Sequence, residues 1–149
     1  MTDLYFEDFT AGRVLETEPW PVEAAEIMAY ARKYDPQRYH TDPEAAAATV
    51  FGGLIASGFH TVAIASGQLV RTGVFAVAGK GGPGMDDIRW HKPVRPGDVV
   101  RTVVTVREAR LSRSKPDRGF VTFDLESATD TGIVLTMSVT VILGTRPQG

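Results

Sequence analysis

A helix with apolar side chains on all its sides constrains the fold of this chain more than any other feature. Residues 57–74 have helical periodicity, and their large apolar side chains point in every direction: Phe59, Val62, Ile64, Leu69 and Val70. Such a helix is stable in water only when other parts of the protein cover it on several sides. Polar residues interrupt the segment too often for a membrane span, so we expect no membrane association. We expect His60, in its first turn, to be a hydrogen-bonded core residue.

Long strands in the second half of the chain can supply that cover. In residues 119–127, Val, Phe and Leu alternate with polar residues, which is typical of a strand with one buried face. The alternating run of residues 133–143 predicts a core strand, and residues 98–107 are rich in Val and Thr, which favour strands. Turn residues separate these segments, so we expect antiparallel hairpins. We also expect His91 to lie in a strand.

Helices occupy the first half of the chain. Residues 22–34 have the spacing of one amphipathic helix, which must end near Asp35 because Pro36 disfavours helical geometry in the residue before it. The sequence Thr41-Asp42-Pro43-Glu44 predicts the start of a short helix, since it offers a polar cap and an early proline. Helices followed by long strands indicate an α+β fold, with a curved antiparallel sheet wrapped around the apolar helix. At this length we expect a single domain, residues 1–149.

The composition excludes several classes of function. The net charge of −2 gives no general attraction to nucleic acid or to anionic membranes, so we expect neither as a partner. The chain has no cysteine, which removes disulfides, thiolate metal ligands and cysteine nucleophiles together. Its three histidines lack the spacing of a zinc site, so we expect no metal. The acidic N-terminus does not resemble a secretory signal, and we expect a cytoplasmic protein.

An acid, an imidazole and a glycine stand where an enzyme that adds water would need them. Asp35 lies at the predicted end of a helix, His40 lies just before the next helix, and Gly58 opens the apolar helix. A carboxylate and an imidazole can move protons, and a helix N-terminus favours developing negative charge. Asp35 or His40 alone is a weak signal, since an Asp before a Pro is common in turns. Together the three residues predict an active site.

Residues 35–66, together with residues 85–98, resemble the MaoC-like dehydratase family of (R)-specific enoyl-CoA hydratases. The family motif has Asp, any residue, Asn, Pro, an apolar residue and His, and Asp35 and His40 occupy its two ends. The middle departs from the motif, with Gln37 in place of Asn, Arg38 in place of Pro and Tyr39 in place of the apolar residue. The resemblance implies the hot-dog fold, in which a sheet curls around a central helix. It also implies a homodimer or higher homo-oligomer, with substrate sites near the subunit interface.

The resemblance gives a role to most of the candidate residues. Asp35 and His40 would hold the catalytic water and share the base and acid roles, in hydration of a 2-enoyl-CoA to a 3-hydroxyacyl-CoA or in the reverse dehydration. The Gly58 N–H would bind the thioester oxygen, and Ser66 would support the site. Coenzyme A would enter as part of the acyl-CoA thioester substrate, and we expect no separate cofactor. Basic residues near a predicted hairpin tip are candidate contacts for its phosphates: Arg113, Lys115 and Arg118.

Two other functions remain open at this point. A hot-dog acyl-CoA thioesterase shares the fold and the substrate class, but it uses a carboxylate on or near the central helix, and residues 57–74 contain none. A non-catalytic subunit that binds acyl thioesters is compatible with the altered motif, because Arg38 lacks the fixed backbone angle of proline. Release of a free thiol would separate the first alternative from hydration, and binding without turnover would identify the second.

Overall fold

Six antiparallel strands form the sheet of this protein in a computed structural model, which describes residues 2–148. The strands are β1 (Val14–Glu16), β2 (Trp20–Pro21), β3 (Gly84–Trp90), β4 (Val99–Leu111), β5 (Arg118–Thr129) and β6 (Gly132–Gly144). Their order in the sheet is β1-β4-β5-β6-β3, and β2 also pairs with β4. The meander of β4, β5 and β6 therefore forms the centre of the sheet, and β3 forms one of its edges.

The three predicted long strands are confirmed as β4, β5 and β6, and two of the predicted turns join them as hairpins. The sequence pattern did not reveal β1 and β2, which have only three and two residues and are too short to show a period of two. Because they precede the helices, the predicted order of helices first and strands afterwards is wrong. The α+β class is correct.

A β-bulge changes the predicted alternation at the start of β6. Ser127 pairs with Leu135 and Ala128 pairs with Ile133, so Val134 is one extra residue opposite β5. As a result Val134 is buried and Ile133 is 40% exposed, although the alternating pattern placed Ile133 on the buried face. From Leu135 onwards four alternate apolar residues are buried, Leu135, Met137, Val141 and Leu143, although Ser138 between them is buried as well. On β5 the predicted inner residues are buried: Val121, Phe123 and Leu125.

Four helices connect and cover the strands: α1 (Ala24–Tyr34), α2 (Arg38–Thr41), α3 (Pro43–Ala47) and α4 (Gly58–Arg71). α1 ends immediately before Asp35, as Pro36 predicted. α3 begins as predicted, because the Asp42 side chain accepts hydrogen bonds from two backbone N–H groups of its first turn. α4 ends at Arg71, earlier than predicted. Among residues 2–148 no helix is both long and apolar enough to cross a membrane.

The sheet covers only one side of α4. Ile64, Ala65 and Leu69 are buried in the main core, whereas Phe59 is 59% exposed and Val70 is 54% exposed. The expectation that other parts of the protein cover this helix on several sides is therefore met toward the sheet and toward α1, where His60 packs on Tyr30, but not on the remaining side. A single chain leaves an apolar strip of α4 in contact with solvent.

A buried polar cluster ties α4 to the sheet. Gln68 is 1% exposed, and its side-chain amide donates to the carbonyl oxygens of Glu18 and Val100 at 2.9 and 3.0 Å. Its side-chain oxygen accepts from Thr102 Oγ1 at 2.7 Å, and Thr102 also contacts Ser127 Oγ at 2.6 Å. Buried polar groups of this kind are tolerated only when they are paired. The cluster therefore fixes where α4 lies along β4.

We predict that Gln68→Leu lowers the free energy of unfolding by about 2–4 kcal/mol, because it keeps a similar volume but leaves two buried carbonyl oxygens without a donor. Urea denaturation measures this change. Gln148→Leu is the matched control, since Gln148 is exposed and its replacement should change stability by less than about 0.5 kcal/mol. Equal stability of the two variants would show that the cluster does not hold α4 in place.

Candidate active site

Asp35 and His40 come together at the junction between α1 and α2. Asp35 is the residue that follows α1, and its N–H donates to the Ala31 carbonyl at 2.8 Å. His40 lies inside the short helix α2. The distance between Asp35 Oδ2 and His40 Nε2 is 3.4 Å. The predicted pair is therefore assembled, at a separation longer than an ordinary hydrogen bond.

The hydrogen bonding of His40 assigns its tautomer. The ring is buried, at 4% exposure, and Nδ1 lies 2.7 Å from the carbonyl oxygen of Ile55. A carbonyl oxygen can only accept, so Nδ1 carries the proton in the neutral ring. Nε2 then presents a lone pair toward the Asp35 carboxylate. Two acceptors face each other across 3.4 Å.

Asp35 is held as a carboxylate by two side-chain donors. Ser57 Oγ donates to Oδ2 and Gln37 Nε2 donates to Oδ1, both at 2.7 Å. Burial on its own would raise the pKa of Asp35, but the hydrogen bonds from Ser57 and Gln37 and the nearby His40 together hold the pKa below its ordinary value of 3.8. Asp35 is therefore ionised at neutral pH.

Ser57 is a site residue that the sequence analysis missed. It is fully buried, it precedes α4 as its N-cap, and its Oγ accepts from the Phe59 N–H at 3.2 Å while donating to Asp35. A serine before a helix predicts an N-cap and nothing more. Its hydrogen bond to Asp35 depends on the position of the end of α1 relative to α4 in the folded protein, which no local sequence pattern predicts.

The altered middle of the motif still organises the loop. Gln37 accepts a hydrogen bond from the Tyr39 hydroxyl as well as donating to Asp35, so it supplies the amide that the motif's Asn would provide. Arg38 is exposed and is the first residue of α2. Proline is common at this first helical position because its missing N–H is not needed there. Having Arg38 where the family motif has proline therefore costs α2 no backbone hydrogen bond.

Gly58 is the first residue of α4, as predicted. Within residues 2–148 the Gly58 N–H donates to no protein acceptor, which is expected at the start of a helix. Its carbonyl oxygen accepts from Trp90 Nε1 at 3.0 Å. The free N–H and the positive end of the helix dipole together make a site for developing negative charge.

A cleft of about 300 Å³ joins these groups. Its walls come from α2, the loop before α4, the start of α4 and the segment after β3: Tyr39, His40, Phe51, Ile55, Ala56, Gly58, Thr61, Trp90, His91, Lys92, Pro93 and Val94. Asp35 is not one of the residues that line the cleft, and it reaches the cleft wall through its contact with His40. Most of the wall is apolar, so the cleft suits an acyl chain or thioester better than a sugar or a nucleotide base.

Two predicted groups of residues lie away from this cleft. Ser66 is half-buried on α4, two turns beyond Gly58, and is not part of the cleft wall. Arg118 pairs with Gly144 at the end of β6, whereas Trp90 pairs with Leu135 near its start, so roughly 30 Å separates them at 3.3 Å per residue. Arg113 and Lys115 lie in the turn before Arg118. One chain does not bring these three basic residues to its own cleft.

The other two histidines have different surroundings. His60 is buried, its Nε2 is 2.8 Å from Glu26 Oε2, and its ring stacks on Tyr30 at 4.5 Å, so the prediction of a hydrogen-bonded core histidine is confirmed. Burial lowers the pKa of His60, and Glu26 only partly opposes this. His91 follows the last residue of β3 and lines the cleft, so its prediction as a strand residue is wrong by one position. The described residues contain no group of three His, Cys, Asp or Glu side chains that could hold a metal ion.

This chain is similar in sequence and in fold to known proteins. Residues 8–127 match the family model described as MaoC like domain. The structure is similar to that of the MaoC-like dehydratase from Rhodospirillum rubrum, with 38% identity, a TM-score of 0.89, and coverage of 97% of this chain and 99% of that one. It is also similar to the (R)-hydratase from A. caviae involved in PHA biosynthesis, with 26% identity, a TM-score of 0.73, and coverage of 95% and 99%.

A third similar structure is described by its fold. A conserved hypothetical protein from Mycobacterium tuberculosis, described as having a double hotdog fold, has 21% identity and a TM-score of 0.81. The similarity covers 99% of this chain and 46% of that one, so this chain corresponds to about half of the double fold. The predicted hot-dog fold is confirmed, and the chain belongs to the family of MaoC-like domains.

Proposed function

We propose that this protein catalyses the (R)-specific hydration of a 2-enoyl-CoA to a 3-hydroxyacyl-CoA, or the reverse dehydration. The observation that carries the proposal is the pair of acceptor atoms, Asp35 Oδ2 and His40 Nε2, which face each other at 3.4 Å beside a cleft. Gly58 lines the same cleft, and among residues 2–148 its N–H has no protein acceptor. The 26% identity to a protein described as an (R)-hydratase supports the reaction class.

A water molecule can lie to one side of the two acceptors, within hydrogen-bonding distance of both, because 3.4 Å leaves no room for it on the line that joins them. It has two protons, and it can donate one to Asp35 Oδ2 and the other to His40 Nε2, which leaves a lone pair on its oxygen for attack. A neutral imidazole and an ionised carboxylate are both required for this arrangement. The Ile55 carbonyl sets the tautomer of the neutral ring through Nδ1, and the donors Ser57 and Gln37 favour the carboxylate.

In this proposal His40 carries out the proton transfers, because a carboxylate whose pKa is lowered is a weaker base. As the water oxygen bonds to C3 of the enoyl group, Nε2 takes one of its protons, and the resulting imidazolium lies beside the Asp35 carboxylate. The electron pair of the C2–C3 double bond moves toward the thioester oxygen and forms an enolate. His40 then returns its proton to C2, so that water has been added and the enzyme is unchanged. Asp35 remains ionised throughout.

The Gly58 N–H would donate to the thioester oxygen as the enolate forms. Removing one such donor from an enzyme typically costs 10²–10³-fold in turnover, because a fixed donor needs no reorganisation during the reaction. The position at the start of α4 adds the positive end of a 14-residue helix dipole. Coenzyme A enters as the thiol portion of the substrate, and no step of this reaction requires another cofactor.

The thioesterase alternative is less compatible with the site, because α4 has no carboxylate to activate water for attack on the thioester carbon. A non-catalytic binding subunit would not need an ionised carboxylate and a neutral imidazole side by side. Both alternatives make distinct predictions in the same assay. Release of coenzyme A with the enoyl chromophore retained indicates hydrolysis, and binding without any turnover indicates a binding subunit.

A short trans-2-enoyl-CoA should lose its ultraviolet chromophore when the wild-type protein is added, and chiral analysis should identify the (R)-3-hydroxyacyl product. Asp35→Asn and His40→Ala should each lower turnover by about 10²–10⁴-fold while the fold remains intact, since Asp35→Asn replaces a carboxylate oxygen with an NH₂ donor and removes the negative charge, and His40→Ala removes the base. Asp130→Asn, in the exposed turn between β5 and β6, is the matched control and should retain full turnover. An (S) product, or near-parental turnover of Asp35→Asn, would contradict the proposal.

We also predict that Ser57→Ala raises the pKa of Asp35. The Ser57 hydroxyl donates to the charged form, so its removal favours protonation and moves the midpoint of the titration to higher pH. Carbon-13 NMR of the aspartate carboxyl groups, read as a function of pH, measures the midpoint, which should lie below 3.8 in the parent protein. Ser57→Thr retains a hydroxyl and should stay close to the parent. An unchanged midpoint in Ser57→Ala would show that the Ser57 hydroxyl does not stabilise the Asp35 carboxylate.

The exposed apolar residues support the expected homodimer. Large apolar side chains are exposed on the outer side of α4, on the segment after it and on the edge strand β3: Phe59, Val70, Val77, Met85 and Trp90. An edge strand with free backbone groups can pair with a second copy. In an antiparallel pairing of two β3 strands, the Arg118 end of one sheet would approach the cleft of the other chain. Contacts from Arg113, Lys115 and Arg118 to coenzyme A would then come from the partner chain.

Met85→Lys should shift the protein from dimer toward monomer in sedimentation velocity, because it places a charge among the apolar residues of this surface. Val14→Lys is the matched control, since Val14 is a similarly exposed apolar residue on β1, at the opposite edge of the sheet. A monomeric wild-type protein, or an equal effect of the two substitutions, would contradict a dimer through β3.

A further inference from the structure

Trp90 is packed directly against the first residue of α4. It is the last residue of β3 and is 50% exposed, and its Nε1 donates to the Gly58 carbonyl at 3.0 Å. A Cβ atom placed on Gly58 would lie 2.9 Å from both Nε1 and Cε2 of the indole. Real Cβ atoms do not approach other atoms so closely. The space beside the Gly58 Cα is therefore occupied by the indole ring of Trp90.

Three hydrogen bonds fix the backbone around Gly58. Ser57 Oγ accepts from the Phe59 N–H at 3.2 Å, and the Ser57 carbonyl accepts from the Thr61 N–H at 3.0 Å. Trp90 holds the Gly58 carbonyl on the other side. These bonds leave the Gly58 N–H without a protein acceptor among residues 2–148, as they do the His60 N–H, and they restrict the orientation of the peptide group on each side of Gly58. Trp90 is the member of this set that comes from a different part of the chain.

We infer that Trp90 is a positioning residue for the N–H that binds the enolate oxygen, and that position 58 is glycine because the indole needs the space, not because the thioester does. This inference rests on the proposed hydratase reaction. A fixed donor is effective because it is already oriented when charge develops. Trp90 provides that orientation by joining the edge strand β3 to the start of α4 through its ring and its Nε1–H.

The two explanations of Gly58 predict different outcomes in a double-mutant cycle. If the indole needs the space, Gly58→Ala lowers kcat strongly in the wild-type background but has little further effect once Trp90→Ala has removed the ring. If the thioester needs the space, Gly58→Ala lowers kcat by the same factor in both backgrounds. Coupling between two residues in contact is what such a cycle measures.

The experiment compares Gly58→Ala, Trp90→Ala, the double variant and Trp90→Phe in the hydration assay, with kcat and KM determined separately. Trp90→Phe keeps an aromatic ring but loses the donor, and we expect kcat to fall about three- to tenfold with KM changed less than twofold. In the double variant we expect kcat within about twofold of Trp90→Ala alone.

Trp20→Phe is the matched control, because Trp20 also donates an indole hydrogen bond, to Glu26 Oε1 at 3.1 Å, but lies outside the cleft. It should lower the melting temperature without lowering kcat. If Trp90→Ala loses the dimer or the fold, Trp90→Phe alone decides the question. An unchanged kcat in Trp90→Phe, or equal effects of Gly58→Ala in both backgrounds, would overturn the inference while leaving hydration intact. A wild-type protein without turnover would overturn the proposed function and this inference together.

Discussion

The hydrogen bond from Ser57 to Asp35 is the contact on which the site depends. It joins the end of α1 to the start of α4 at 2.7 Å, with the serine fully buried. The same hydroxyl accepts from the Phe59 N–H, so one side chain orients both the carboxylate and the first turn of α4. The Asp35 carboxylate and the Gly58 N–H therefore keep a fixed geometry relative to each other, although Asp35 follows α1 and Gly58 begins α4.

Helix α4 connects this local geometry to the whole fold. Its inner side is buried against the sheet, and Gln68 fixes its position through two carbonyl oxygens and Thr102. Its first residue is held by Trp90 from the edge strand β3. Movement of the sheet relative to α4 would therefore change the direction of the Gly58 N–H. The exposed side of α4 and the adjacent β3 are the parts of this frame that a second chain could stabilise.

Local signals in the sequence predicted much of this structure. Alternating residues identified β4, β5 and β6, Pro36 identified the end of α1, and Asp42 identified the start of α3. The motif ends identified Asp35 and His40. The second role of Ser57 and the contact of Trp90 with Gly58 could not be predicted, because both depend on the approach of elements that are distant in the chain. The exposure of Ile133 was missed for a different reason, since a single extra residue in a strand leaves the apolar pattern unchanged.

The charges around Asp35 and His40 are consistent with the proposed reaction. Asp35 follows the C-terminal end of α1, which disfavours a carboxylate, but it contacts the N-cap of α4, whose positive end favours one. In the proposed reaction the same helix end also stabilises the enolate, so two negative charges would compete for it. The proton that His40 accepts places a positive charge 3.4 Å from Asp35 at the moment when the enolate forms. The imidazolium of His40 and the enolate have opposite charges, so the net charge of the site is the same before and after this step.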